Sequence, residues 1–169
     1  MSIDPRAARD ALARPWLPRD PDIDVEDGGR RVHLHPVYVF YVAVGGAFGT
    51  AVREALSLWI PANANRADWT ILTINVLGAF LLAALLQGLA GARSEERGRR
   101  RTLRLLLGTG VLGGFTTYST FATGAAELIR GDHQGIAIGY CGLTLWLGLM
   151  ASFAGIAVAR WAHDGAMRS

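Results

Sequence analysis

The sequence predicts an all-α membrane protein with four transmembrane helices, the third of them discontinuous. Three observations predict it. Apolar runs at about 37–60, 69–92, 105–126 and 134–159 each reach the ~20 residues that a helix needs to cross the hydrocarbon core. The 17 basic residues, all of them arginine, gather between those runs and at the termini, as membrane topology requires. The third run holds Gly108, Gly110, Gly113 and Gly114 and an unbroken row of hydroxyl side chains from Thr116 to Thr120. That composition weakens a continuous helix and leaves polar groups that must find partners within protein, water or an ion.

Residues 1–35 mix Arg, Asp, Pro and Gly with few large apolar residues. They lack the apolar stretch and small-residue cleavage site of a secretory signal, and predict a disordered cytoplasmic tail. The first span opens with Tyr38, Phe40 and Tyr41, aromatics suited to interfacial depth. Gly46 and Gly49 invite close approach by another backbone. Arg53 ends the uncharged part: it either snorkels to the helix end or serves as a vestibule cation that concentrates anions.

The loop from Pro61 to Asp68 leads to the charge-free second span. There Asn75, Gly78 and Leu82 share one helical face. An amide at that depth is either interhelical glue or a ligand-binding group. Arg93 to Arg101 is read as a solvated loop, and Glu127, Arg130, Asp132 and His133 as a short connection. The fourth span places Tyr140 and Thr144 one turn apart. They are either an interfacial tyrosine with a threonine bonded to its own helix, or polar groups facing a path. The domain is expected to cover residues 36–161, with a C-terminal tail at 162–169.

Four spans put both termini on one side. Close to the spans, that side carries ten arginines (Arg30, Arg31, Arg93, Arg97, Arg99, Arg100, Arg101, Arg104, Arg160, Arg168), against Arg66 and Arg130 on the other. The bias predicts a plasma-membrane protein with cytoplasmic termini, and topology explains the arginines better than nucleic acid does. Cys141 is the single cysteine, so no intrachain disulfide can form. A chain of 169 residues is too short to enclose a wide pore alone, which predicts oligomerisation.

No catalytic set and no metal-ligand cluster is visible, since His33, His35, His133 and His163 all fall outside the spans. A small four-span cation exporter needs a carboxylate at mid-membrane depth, and Glu54 and Glu127 lie near span ends. The spans instead hold neutral donors: Asn75, Thr116, Thr117, Ser119, Thr120, Tyr140 and Thr144, with aromatic edges at Tyr118 and Phe121. Donors without acceptor charges suit a small, strongly hydrated anion, while carbonyls freed around Gly113 suit a cation.

Three motifs, in order, resemble those of the Fluc (CrcB-type) fluoride channel family. They are Gly45, Gly46, Gly49 and Arg53 in the first span; Thr73, Asn75, Gly78 and Phe80 in the second; and Gly110, Gly113, Gly114 and Thr116 to Phe121 in the third. The likeness covers roughly Val37 to Trp161. It implies a dual-topology dimer of antiparallel subunits enclosing two narrow fluoride pathways. It also implies a structural sodium ion (Na+), not transported, on the central two-fold axis, held by the main-chain oxygens of Gly113 and Thr116. The anion pathway would comprise Asn75, Tyr118, Ser119, Phe121, Tyr140 and Thr144, with Arg53 in the vestibule. The implied activity is passive, not enzymatic: export of cytoplasmic fluoride across the lipid bilayer, relieving its toxicity. Two positions depart from the family pattern: Tyr118 replaces a usual phenylalanine, and Gly124 stands where an acidic residue is frequent. The arginine bias also departs from the balanced loops of a chain that inserts both ways. It predicts that this subunit is one half of a heterodimer with a homologue of opposite orientation, the homodimer being the alternative.

Overall fold

The first helix begins at a proline, whose fixed φ and missing N–H suit the first helical turn. In the computed structural model, which describes residues 36–60, 67–90 and 97–166, α1 spans Pro36–Trp59 and α2 spans Trp69–Leu89. The third apolar segment is divided. It comprises α3 (Arg97–Leu103), a π-helix (Arg104–Leu112), α4 (Gly113–Phe115) and α5 (Tyr118–Arg130). The last helix, α6, spans Gln134–Ala166. Among the described residues every regular element is a helix. The tail expected at residues 1–35, the loop positions 61–66, Arg93 and residues 167–169 lie outside them.

Among the described residues three helices are long and apolar enough to cross a membrane: Pro36–Trp59, Trp69–Leu89 and the Gln134–Gly165 part of α6. The chain is therefore an α-helical, multi-pass membrane protein. Its outer surface agrees, with Phe40, Phe48, Trp59, Ile138 and Leu145 all exposed, an arrangement that suits hydrocarbon rather than water.

Local chemistry explains the helix ends. Asp68 caps α2 by accepting from the Ile71 N–H at 2.9 Å. Thr70 Oγ1 donates to the Ile60 carbonyl at 2.8 Å, tying the start of α2 to the end of α1. At its other end, Arg100 Nη1 donates to the Leu89 carbonyl at 3.3 Å, placing a cation on one of the helix's last acceptors. Asp132, with φ of 61°, takes the left-handed conformation that aspartate tolerates better than most residues. It turns the chain tightly from α5 into α6, with His133 N donating to Leu128 O at 2.8 Å.

Two contacts between elements are unusually close. α1 crosses the third segment through glycines on both sides. A Cβ at Gly45 would strike the Leu106 carbonyl oxygen, one at Gly49 the Val111 carbonyl oxygen, and one at Gly114 the Gly46 carbonyl oxygen. α2 lies along α6, where a Cβ at Gly155 would strike the Phe80 carbonyl oxygen. Small residues thus let backbones meet, which substitutes for a hydrophobic driving force between helices in lipid. Two buried clusters complete the packing. Ala67, Leu72, Ala125, Leu128, Ala137 and Tyr140 join the start of α2 to α5 and α6. Ile71, Ile74 and Phe115 join α2 to the end of α4.

Several boundaries differ from the expected ones. α2 ends at Leu89 rather than Ala92, and helix replaces loop from Arg97. α5 runs on to Arg130, and α6 continues to Ala166, past the expected end of the span at Ala159. Hydropathy marks where the membrane ends, whereas hydrogen bonding marks where the helix ends. At ~1.5 Å per residue, the 33 residues of α6 run about 50 Å and outreach a hydrocarbon core of ~30 Å.

The break lies at Thr116 and Thr117, the extended residues (φ −77°, ψ 154° and φ −145°, ψ 122°), whereas Gly113–Phe115, where the sequence suggests freed carbonyls, remain helical. Glycine did not set the break. Gly110 and Gly114 serve the crossing with α1, while side-chain hydrogen bonds at Thr117 interrupt the helix.

Candidate functional site

The site is built around Thr117. Its N–H would close the next helical turn on the Gly113 carbonyl, four residues back. It donates instead to Asn75 Oδ1 at 2.9 Å, and Asn75 Nδ2 returns a bond to the Thr117 carbonyl at 3.0 Å. One side-chain amide from α2 thus binds both main-chain polar groups of a single residue: it satisfies the N–H that the helix has released, as a low-dielectric interior demands, and gives the carbonyl a further donor. Thr117 Oγ1 then caps α5, accepting from the Thr120 N–H at 3.2 Å. In a continuous helix that N–H would have gone to the carbonyl of Thr116. Both carbonyls singled out from the sequence, those of Gly113 and Thr116, have therefore lost their helical donors to side chains.

Thr117 was not singled out beyond its place in the hydroxyl row, yet it is buried at the centre of the cluster. Its Oγ1 lies 3.2 Å from Ser119 Oγ and 3.1 Å from Thr120 Oγ1. The signal for it was a hydroxyl residue at the start of a helix, the usual N-cap. The shared face of α2 lies as the register suggested. Asn75 meets Thr117, a Cβ at Gly78 would strike the Thr116 methyl, and Leu82 faces Gly108. Thr116 Oγ1 itself donates to the Leu112 carbonyl at 2.9 Å.

Beside the break runs a row of three rings. The centroids of Tyr118 and Phe121 lie 6.2 Å apart, and those of Phe121 and Tyr140 5.2 Å, both pairs tilted. Tyr118 is 81% exposed, whereas Tyr140 is buried. The Tyr140 hydroxyl has no hydrogen-bond partner among the described residues. Thr144 Oγ1 donates to the Tyr140 carbonyl at 2.7 Å, so its proton is held by its own helix and the oxygen is left to accept. Arg53, half-buried on α1, makes no hydrogen bond or ion pair with this group.

The structure thus gathers Asn75, Thr116, Thr117 and Ser119 at the break, with the rings of Tyr118, Phe121 and Tyr140 in a row beside it and Thr144 joined to that row through the Tyr140 carbonyl. Among the described residues no group of three or more His, Cys, Asp or Glu side chains could hold a metal ion. The donors here for a cation are main-chain carbonyls.

Residues 40–156 match the family model described as CrcB-like protein, Camphor Resistance (CrcB). Over 127 residues the chain is 49% identical to "Fluoride-specific ion channel FluC 2" of Leifsonia xyli, covering 75% of this chain and 86% of that protein. It is 38% identical over 133 residues to "Fluoride-specific ion channel FluC 1" of Cutibacterium acnes, covering 79% and 87% respectively. It is 39% identical over 116 residues to "Fluoride-specific ion channel FluC" of Thermus thermophilus, covering 68% and 87%. The matched stretch contains α2, the divided third segment and every residue gathered at the break, and on that evidence the chain belongs to the CrcB-like family.

Proposed function

We propose that the chain is a fluoride-selective passive ion channel that exports cytoplasmic fluoride. The observation that carries this reading is the uncharged break, where amide, hydroxyl and aromatic-edge groups converge with no carboxylate among them. It occurs in a chain whose relatives are named fluoride-specific channels. Fluoride is small and strongly hydrated, and only closely spaced donors can replace its water. Larger halides accept hydrogen bonds more weakly and fit a narrow path poorly. Fluoride enters cells as its weak conjugate acid and ionises inside. The negative-inside potential, worth ~2.3 kcal/mol per charge at 100 mV, then drives the anion out without coupling.

Within this reading the divided segment Arg97–Arg130 supplies the fourth crossing. Asn75, Tyr118, Ser119, Phe121, Tyr140 and Thr144 line the anion path, and Arg53 draws anions to its mouth. The carbonyls of Gly113 and Thr116 hold a sodium ion. Their loss of helical donors is the feature that fits them for it, and the bound cation would supply positive charge to acceptors otherwise unpaired at membrane depth. The second subunit is antiparallel. Ten arginines against two favour an oppositely oriented homologue over a second copy of this chain.

The test is fluoride efflux from liposomes holding the full-length chain, alone and with such a homologue. Efflux blind to chloride is expected. Folded protein that passes no fluoride in either setting refutes the reading.

A further inference from the structure

We propose that Asn75 is a positioning residue for the cation site: it keeps the third segment open by holding the N–H of Thr117 away from the Gly113 carbonyl. The inference rests on the sodium site in the reading above. It gives Asn75 a function that lining an anion path does not require.

Three observations carry it. Both polar ends of the Asn75 amide are engaged with the main chain of one residue, Oδ1 with the Thr117 N–H at 2.9 Å and Nδ2 with the Thr117 carbonyl at 3.0 Å. That N–H is the donor that would otherwise cap Gly113 in a continuous helix. The extended backbone at Thr116 and Thr117 follows the amide rather than the glycines, because Gly113–Phe115 stay helical. Without the amide, the released N–H of Thr117 lies unpaired away from water, and the least costly remedy is to rebuild the helical bond to Gly113. Rebuilding it removes an acceptor from the cation. Gly78, one turn along α2, keeps the register. A Cβ there would strike the Thr116 methyl and push the break away from the amide.

The experiment uses the full-length chain in lipid and reads the sodium concentration that gives half-maximal thermal stabilisation, with fluoride efflux measured in parallel. Asn75→Leu keeps the side-chain volume and removes both bonds. Its half-saturating sodium should rise about tenfold or more, the cost usual for losing a residue that orients a metal's ligands. Asn75→Gln, which retains the amide one methylene further out, should recover part of the loss. A residue that only lined the anion path would change efflux and leave half-saturating sodium where it was, and that result overturns the proposal. Should Asn75→Leu not fold, the wild-type chain decides. Solid-state NMR must show a dipolar contact between the Asn75 side-chain amide and the Thr117 amide, and its absence also overturns the proposal. Channel and latch can fail separately. Wild-type protein that passes fluoride but melts independently of sodium overturns the latch alone. A sodium-linked melt that Asn75→Leu weakens, in protein passing no fluoride, supports the latch while refuting the channel.

Discussion

Tyr140 carries the most informative single atom after the Asn75 amide. Its ring is packed among Leu72, Ala125, Leu128 and Ala137, while its hydroxyl finds no partner among the described residues. A buried donor without a partner costs about 1–3 kcal/mol, so removing it should not destabilise the fold. Tyr140→Phe is therefore expected to melt at an equal or higher temperature, and on the proposed channel reading, which gives the unpartnered donor to the ion, to pass fluoride several-fold more slowly. Thermal melting and liposome efflux on the same preparation check both halves, and unchanged efflux would remove Tyr140 from the path. Thr144 behaves differently. Its proton is committed to the Tyr140 carbonyl at 2.7 Å, so at most it offers the path an acceptor. The sequence left both readings of this pair open, because one-turn spacing suits a helix-bonded threonine and a polar track equally.

At the scale of elements, Gly45, Gly49, Gly110 and Gly114 have one task, bringing the backbones of α1 and the third segment into contact. Gly49→Ala is the direct probe. The new methyl would meet the Val111 carbonyl oxygen and come within 2.9 Å of the Phe115 nitrogen, both main-chain atoms. Neither can swing aside as a side chain would, so a loss of about 1–3 kcal/mol is expected. Gly88 on α2 has nothing within 4 Å of its Cβ position. Gly88→Ala should raise stability by up to about 1 kcal/mol through helix propensity alone. Melting both variants in one detergent tests the contrast. From the sequence, Gly110, Gly113 and Gly114 read as helix weakeners. Only the partner backbone of α1 shows that Gly110 and Gly114 are contact residues and that the helix persists through Phe115. The π-helix at Arg104–Leu112 had no sequence signature at all. Its bonding pattern, in which the Gly113 N–H reaches the Gly108 carbonyl, is imposed as the segment packs on α1.

At the scale of the whole molecule, the arginine distribution is expected to set orientation. A reporter fused to the C-terminus is expected on the cytoplasmic side alone. Replacing Arg93, Arg97, Arg99, Arg100 and Arg101 with serine should produce a mixed population. An even split in the unaltered chain would show that it inserts both ways, and the heterodimer reading would fail in favour of pairing with itself. One loop arginine also has a structural use, since Arg100 donates to the Leu89 carbonyl at 3.3 Å. The serine variant should therefore fray the end of α2 as well as relax topology.

Properties summed over many residues were legible in the sequence alone. They are the helical membrane class, the apolar runs, the side that holds the arginines and the neutral chemistry around the third run. Transfer free energy and charge bias add up along the chain whatever its neighbours do, so these need no tertiary partner. The second face, with Asn75, Gly78 and Leu82 in register, was equally readable, because helical periodicity is local. The tertiary structure decided where the third segment opens, which carbonyls it releases, and that Thr117 stands at the centre. Each of these depends on a bond between residues 42 positions apart, Asn75 and Thr117. Until α2 lies beside the third segment, the N–H of Thr117 has no reason to prefer an amide over the Gly113 carbonyl.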